Sequence, residues 1–111
     1  MLCNSGNIVV VPFPFVDNAN IKPRPALVVS SKSFNEEHDH SIMTMITTGL
    51  STKWKSDIEI LDLKFAGLPV KSYIRLKFFT LDNRLIKKII GQLDDKSFAD
   101  LKNNLSSYLC N

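Results

Sequence analysis

Four prolines punctuate the first two apolar runs of this chain and limit what those runs can build. Ile8 to Phe15 and Ala26 to Val29 are rich in β-branched and aromatic residues and read as strands, with Val16 to Pro23 as the connecting loop. Pro12 and Pro14 share one parity, so both missing amide donors fall on the same side of the first strand, which cannot carry a continuous ladder there. A free edge or a bulge is expected at Pro12 to Phe15, and such irregular strand ends often frame sites. Pro23 fixes the approach to Arg24, and Pro25 confines Arg24 itself to extended backbone. Arg24 therefore starts the second strand with its backbone already held. A guanidinium in that position, always charged and carrying five donors in a fixed fork, suits a phosphate. The competing reading is a surface arginine beside a turn.

The rest of the chain keeps to short strands. Ser41 to Thr48 alternates, with Met43, Met45 and Thr47 on one face and Ile42, Thr44 and Ile46 on the other. Gly49 to Ser56 is a polar turn, and Asp57 to Ile60 alternates as a fourth strand whose Asp57 and Glu59 form the solvent side. Gly67-Leu68-Pro69 breaks the chain before a strand from Ser72 to Phe79, and Lys87 to Leu93 is the last strand. Turn signals at intervals of about ten residues point to a small antiparallel barrel rather than a parallel sheet. From Asp94, capping residues open a helix whose Phe98, Leu101, Leu105 and Tyr108 or Leu109 form one apolar stripe that should pack on the barrel. A further helical turn is expected at Ser33 to Glu37. The fold class is thus mainly β with a C-terminal helix, an α+β arrangement in one domain over 1–111, with the barrel at about 6–93 and the helix at about 95–109.

Composition excludes several alternatives. With 111 residues there is room for one core, and a monomer of this size is marginal. A hydrophobic content of 44% against 23% charged residues argues against disorder. No apolar run approaches the ~20 residues of a membrane span, and the amino terminus lacks the basic flank and apolar stretch of a signal peptide, so a cytoplasmic location is expected. Cys3 and Cys110 lie at opposite extremes of the chain without partners at metal-ligand spacing, and read as free thiols in a reducing compartment. The net charge of +3 is uneven: 12 Lys and Arg face 8 Asp and Glu up to Leu93, against 2 and 3 beyond it. The strand-rich part is the basic part, which is compatible with an anionic partner without naming one.

The order of motifs carries more. Gly6-x-Ile8-Val9-x-Val11-Pro12-Phe13-Pro14-Phe15-x-Asp17, followed by Lys22-x-Arg24-Pro25-Ala26-Leu27-Val28-Val29-Ser30, resembles the opening of the MazF/PemK family, the toxin halves of toxin–antitoxin pairs. Met45-Ile46-Thr47-Thr48 is similar to the family's second active-site strand. Gly67-Leu68 with Ser72-Tyr73-Ile74-Arg75, then Thr80-Leu81-Asp82, Ile90-Gly91-Gln92-Leu93 and the final helix, extend the likeness over residues 6 to 109. The resemblance implies a small SH3-like antiparallel barrel of the MazF/PemK/CcdB type. It also implies a homodimer that cleaves single-stranded RNA, including mRNA, without a metal or other cofactor. The 2′-hydroxyl would attack the neighbouring phosphate and leave a 2′,3′-cyclic phosphate and a 5′-hydroxyl. The expected protein partner is a cognate antitoxin whose acidic, disordered tail would lie in the Arg24 groove.

That chemistry needs a proton acceptor near the 2′-oxygen, positive charge beside the phosphorane and a donor to the leaving oxygen. By resemblance, Arg24 is the active-site arginine and Thr47 the hydroxyl residue that positions the scissile phosphate, with Arg75 and Ser72 as assisting residues. Arg24 is an electrostatic stabiliser first, since a group with a pKa above ~12 is a poor base. Another branch of the family uses a first-loop histidine with an Arg-x-Asp pair. Here Val16 to Pro23 holds no histidine, and Lys77 stands where that aspartate would be, so that acid–base pair is not copied. Val16 also replaces a frequent threonine, so the cut sequence does not transfer. Phe15, Asn18, Asn20, Lys22, Thr48, Lys53, Trp54, Lys55 and Lys77 are the candidate RNA contacts, with Trp54 a stacking ring between two cations. Glu36-Glu37-His38-Asp39-His40 matches no defined zinc or iron spacing and reads as a hydrophilic loop, so no metal site is assigned. Two other functions compete: a CcdB-like gyrase poison, disfavoured because the chain ends Tyr108-Leu109-Cys110-Asn111 rather than Trp-Gly-Ile, and an inactive barrel retained for binding.

Overall fold

The computed structural model describes residues 1–12, 22–48 and 52–110. Strands β1 (Asn7–Pro12), β2 (Pro23–Val28), β3 (His40–Thr47), β4 (Ile58–Glu59), β5 (Tyr73–Asp82) and β6 (Lys88–Gln92) form one sheet in the order β4-β5-β3-β2-β1-β6. Every pairing is antiparallel, and the six strands curl into a half-barrel. Helices α1 (Lys32–His38), α2 (Leu63–Ala66) and α3 (Asp95–Tyr108) complete it. No helix among the described residues is long and apolar enough to cross a membrane.

The prolines act as expected within the described part. The Val10 carbonyl accepts from the Lys87 N–H, so Pro12, two residues on, turns toward the same neighbour with no donor to give. Pairing with β6 accordingly runs no further than Val10↔Lys88, while β1 continues along β2 to Pro12↔Pro23. Phe13 to Phe15, the other half of the anticipated irregular segment, lie outside the described residues. The irregularity that is seen beside β1 falls earlier, between Ile8 and Val9, where the extra residue is Ile90 of β6.

Strict alternation gives the sheet an apolar layer on each face. Ile8, Leu27, Ile46, Ile58 and Ile74 point to the side covered by Leu101 of α3, Ala66 of α2 and Leu93. Val9, Val11, Ala26, Val28 and Met43 point to the other side, with Cys3 and Ile86. The faces assigned to β3 from its alternation are these two: Met43 falls in one layer and Ile46 in the other. Halfway along β3 the register with β5 jumps, from Thr44↔Phe78 to Met45↔Arg75, so Leu76 and Lys77 are additional on β5. The buried Thr44 hydroxyl donates to the Arg75 carbonyl at this bulge. Because the insertion is two residues, Arg75 and Tyr73 keep the same face as Phe79.

Three expectations need correction. The helical turn expected at Ser33 to Glu37 is the Lys32–His38 helix, so the stretch Glu36 to His38 is helix rather than hydrophilic loop, and Asp39 closes it in the left-handed region at φ 53°. Helix α2 was not expected; Asp62 caps it by accepting from the Phe65 N–H at 2.9 Å, and Gly67 ends it at φ 74°. A Cβ on Gly67 would stand 2.0 Å from the Ile90 carbonyl oxygen, so glycine here is set by close approach as well as by backbone. The apolar stripe of α3 packs through Phe98, Leu101 and Leu105, but Tyr108 and Leu109 are exposed. Cys3 is buried and Cys110 exposed, both as free thiols, and burial pushes the Cys3 thiol up.

Candidate functional site

The ladder between β2 and β3 runs from Val28↔Met43 to Ala26↔Met45, toward Arg24 on one strand and Thr47 on the other. Arg24 and Thr47 are each two residues beyond that last pair, so both side chains leave the sheet on the Met45 face. They line one pocket of about 280 Å³ with Pro25, Met45, Ile46, Thr48, Leu68, Pro69, Val70 and Ser72. Arg24 is exposed, Thr47 half-buried and Thr48 exposed, so the charged fork and two hydroxyls border open space. The Gly67-Leu68-Pro69 break supplies the opposite wall. There the Ser72 side chain is 3% exposed and its hydroxyl donates to the Val70 carbonyl at 2.8 Å.

The structure therefore brings Arg24, Thr47, Thr48 and Ser72 into one place. Arg75 is arranged differently. Its guanidinium donates through Nε to Asp57 Oδ1 at 3.1 Å and through Nη2 to Asp57 Oδ2 at 2.8 Å, and Nη2 also meets the Thr52 carbonyl at 2.6 Å. The two side chains are only 9% and 6% exposed. Asp57 is thus no solvent-facing strand residue: it is the buried counter-ion of Arg75. Burial alone would raise its carboxyl. The bonds from Arg75 and the Trp54 N–H, with the charges of Arg75 and Lys53, outweigh that and hold Asp57 below the usual carboxylate range. The same pairing raises Arg75 further, so its charge is permanent but already matched.

Around this pair lie the turn residues. The Trp54 ring sits 5.0 Å from the Arg75 guanidinium carbon, and Lys53 Nζ lies 5.2 Å from the centre of the Tyr73 ring. Tyr73 is the register partner of Thr47, and Arg75 of Met45, so the turn rests on side chains one strand away from the pocket. Lys22 and Lys55 are exposed, and Lys77 is half-buried at the β5 bulge. Phe15, Asn18 and Asn20 lie outside the described residues. Asp57, Tyr73 and the Leu68 to Val70 wall were missed as site residues. Nothing local marks Asp57 as a partner for a residue eighteen positions away, whereas Tyr73 could have been found by pairing the two strands through Thr47. Among the described residues no group of three His, Cys, Asp or Glu side chains gathers to hold a metal ion.

These features define a class: small antiparallel half-barrels with a cationic, hydroxyl-lined pocket where the central strands end. The chain belongs to the family described as PemK-like, MazF-like toxin of type II toxin–antitoxin system, which matches residues 4–109. Solved structures agree on the fold. A MazF from Deinococcus radiodurans is similar over 98% of this chain and 97% of its own, with a TM-score of 0.75 and 18% identity. An endoribonuclease in complex with its cognate antitoxin from a mycobacterial species gives 0.71 and 14% identity, over 96% of this chain and 91% of the other. The Mycobacterium tuberculosis toxin MazF-mt6 gives 0.72 and 15%, over 91% and 93%. Comparison with curated protein sequences gave no match.

Proposed function

We propose that this protein is the toxin of a type II toxin–antitoxin pair and acts as a sequence-specific endoribonuclease on single-stranded RNA, mRNA above all, in the cytoplasm. The observation that carries the reading is the shared pocket of Arg24 and Thr47 at the ends of neighbouring strands. In it, the Arg24 fork binds the non-bridging oxygens of the scissile phosphate, and the Thr47 hydroxyl donates a hydrogen bond that fixes its orientation. The 2′-hydroxyl of the preceding ribose gives up its proton to solvent as its oxygen attacks phosphorus in line, and the leaving 5′-oxygen takes one up in return. As the phosphorane forms, negative charge grows on the oxygens that Arg24 already holds, so the interaction is stronger in the transition state than before it. Expulsion of the 5′-oxygen leaves a 2′,3′-cyclic phosphate and, once that oxygen is protonated, a 5′-hydroxyl. No metal takes part. Thr48 and Ser72 border the phosphate, while Lys22, Lys53, Lys55 and Lys77, with Phe15, Asn18, Asn20 and Trp54, contact the RNA on either side. Arg75, its donors engaged by Asp57 and Thr52, assists as a positioning residue for the turn.

The name of one structural neighbour, an endoribonuclease with its cognate antitoxin, supports both the activity and a protein partner. The antitoxin's acidic tail would occupy the same groove as the substrate. A homodimer completes the reading, and exposed Leu61, Phe65, Val70, Ile89 and Tyr108 are apolar side chains that a second copy would have available to cover. The direct test incubates purified protein with a long single-stranded RNA in EDTA and maps cut sites and end groups. Cuts at a few short sequences with 5′-hydroxyl ends, absent in Arg24→Ala, support the reading; RNA that stays intact overturns it.

A further inference from the structure

Trp54, Arg75 and Asp57 form an assembly that the phosphate chemistry does not use. Asp57 Oδ2 accepts from the Trp54 N–H at 3.0 Å, and the Asp57 N–H donates to the Trp54 carbonyl at 3.0 Å, so the turn is bonded across both ends. The inner face of the indole lies on the Arg75 guanidinium, 5.0 Å away, and that guanidinium is itself fixed by the Asp57 carboxylate and the Thr52 carbonyl. An ordinary surface tryptophan has neither its backbone nor one ring face tied down. Trp54 has both, and still is 44% exposed.

Its place in the sheet adds a direction. Arg75 stands opposite Met45 and Tyr73 opposite Thr47, and cross-strand neighbours are about 5 Å apart at Cβ. Met45 and Thr47 line the Arg24 pocket. Lys53, the residue before Trp54, sets its charge on the Tyr73 ring, and Lys55, the residue after it, is exposed. A rigid aromatic face flanked by two lysines, one strand from a phosphate site, has the composition of a single-stranded nucleic-acid platform.

We infer that Trp54 is a nucleobase platform: an unpaired base next to the phosphate held at Arg24 stacks on the outer face of the indole, and Arg75 with Asp57 are the positioning residues that keep the ring ready. The Arg75 cation on the inner face leaves the outer face for the base. Ordering the ring beforehand removes most of the entropy that stacking would otherwise cost. Paired bases are inaccessible to such a face, so the platform selects single strands. That the base adjoins a scissile phosphate rests on the ribonuclease reading; the stacking itself does not.

Trp54 is the only tryptophan of the chain, so its fluorescence reports this ring alone. The protein is titrated with a fluorescently end-labelled oligodeoxynucleotide, which lacks the 2′-hydroxyl and stays uncut, while label anisotropy reports binding independently. Quenching of the indole that tracks the anisotropy, and falls away with an oligonucleotide of abasic sites, supports the platform. In cleavage assays, Trp54→Leu, which keeps an apolar cover over Arg75, should raise KM about ten-fold with kcat little changed, and Trp54→Phe should recover most of the loss. Unchanged indole fluorescence at saturating anisotropy overturns the platform even if the wild-type protein cuts RNA. Quenching in a protein that never cuts RNA keeps the platform and discards the ribonuclease reading. An absence of any binding to the oligonucleotide overturns the platform, whereas the ribonuclease reading stands or falls on cleavage of RNA.

Discussion

Arg24 and Thr47 illustrate how far single residues could be read. Two prolines made Arg24 stand out, and its backbone conformation was fixed by local sterics alone, so nothing distant had to be known. Arg24→Ala should cost at least about a hundred-fold in cleavage rate, the scale of removing one group that stabilises a developing oxyanion. Because Arg24 is exposed, thermal unfolding should shift by less than a degree or two, since surface changes stay within about 0.5 kcal/mol. A variant that cuts RNA at the wild-type rate removes Arg24 from the mechanism. Thr47 was legible only through its motif, because a threonine on a half-buried strand is otherwise an ordinary β-former. Thr47→Ala should slow cleavage at least ten-fold with the fold intact by circular dichroism, and Thr47→Ser should restore most of the rate. If Thr47→Ala unfolds instead, the residue is there for the strand. The partnership of Arg75 with Asp57 was illegible, because it depends on the β4–β5 register, in which Ile58 faces Ile74 and the next step sets Asp57 opposite Arg75, and nothing local in the sequence fixes that register.

At the scale of elements, strand existence followed from alternation and helix α3 from its cap and stripe, whereas α2 is a single turn whose signal is one capping aspartate and one glycine. Too short to show a period, it is formed by packing of Ala66 against the sheet rather than by propensity. The Thr52 to Asp57 turn raises a similar point, since its order comes from the buried ion pair. Removing one member of such a pair leaves the other uncompensated, so Asp57→Ala should destabilise the fold by about 3 kcal/mol at pH 7. The sign with pH follows from the depressed carboxyl. Unfolded, Asp57 titrates near the usual ~3.9; folded, it titrates below that. Its contribution is complete above the unfolded value and is lost as pH falls through the folded one. Denaturant midpoints of wild type and Asp57→Ala should therefore differ by a constant amount from about pH 7 down to 5 and converge below about pH 4. A gap that persists at pH 2 would mean that packing, not the ion pair, holds the turn.

For the molecule as a whole, the charge distribution decides how the substrate is felt. The chain carries only +3 overall, and two of its arginines are already matched, Arg75 by Asp57 and Arg84 by Asp82. Arg84 is far less protected, since its side chain is 89% exposed, but its fork still closes on the Asp82 carboxylate. On the ribonuclease reading, the cations nearest the scissile phosphate are Arg24 in the pocket and Lys53 and Lys55 in the adjoining turn. With about three phosphates neutralised on a single strand, log affinity should fall against log salt with a slope of about −2, rather than the steeper values of proteins that bind through broad basic faces. A dimer would not alter this slope if each RNA engages one set, but would raise it toward about −4 if one strand crosses both. Measuring the slope alongside the particle mass by light scattering separates these outcomes. A mass of two chains with a slope near −4 means that the two pockets share one strand, and a slope near −2 means that they act separately. A slope of zero would mean that no phosphate is held and would remove the role assigned to Arg24.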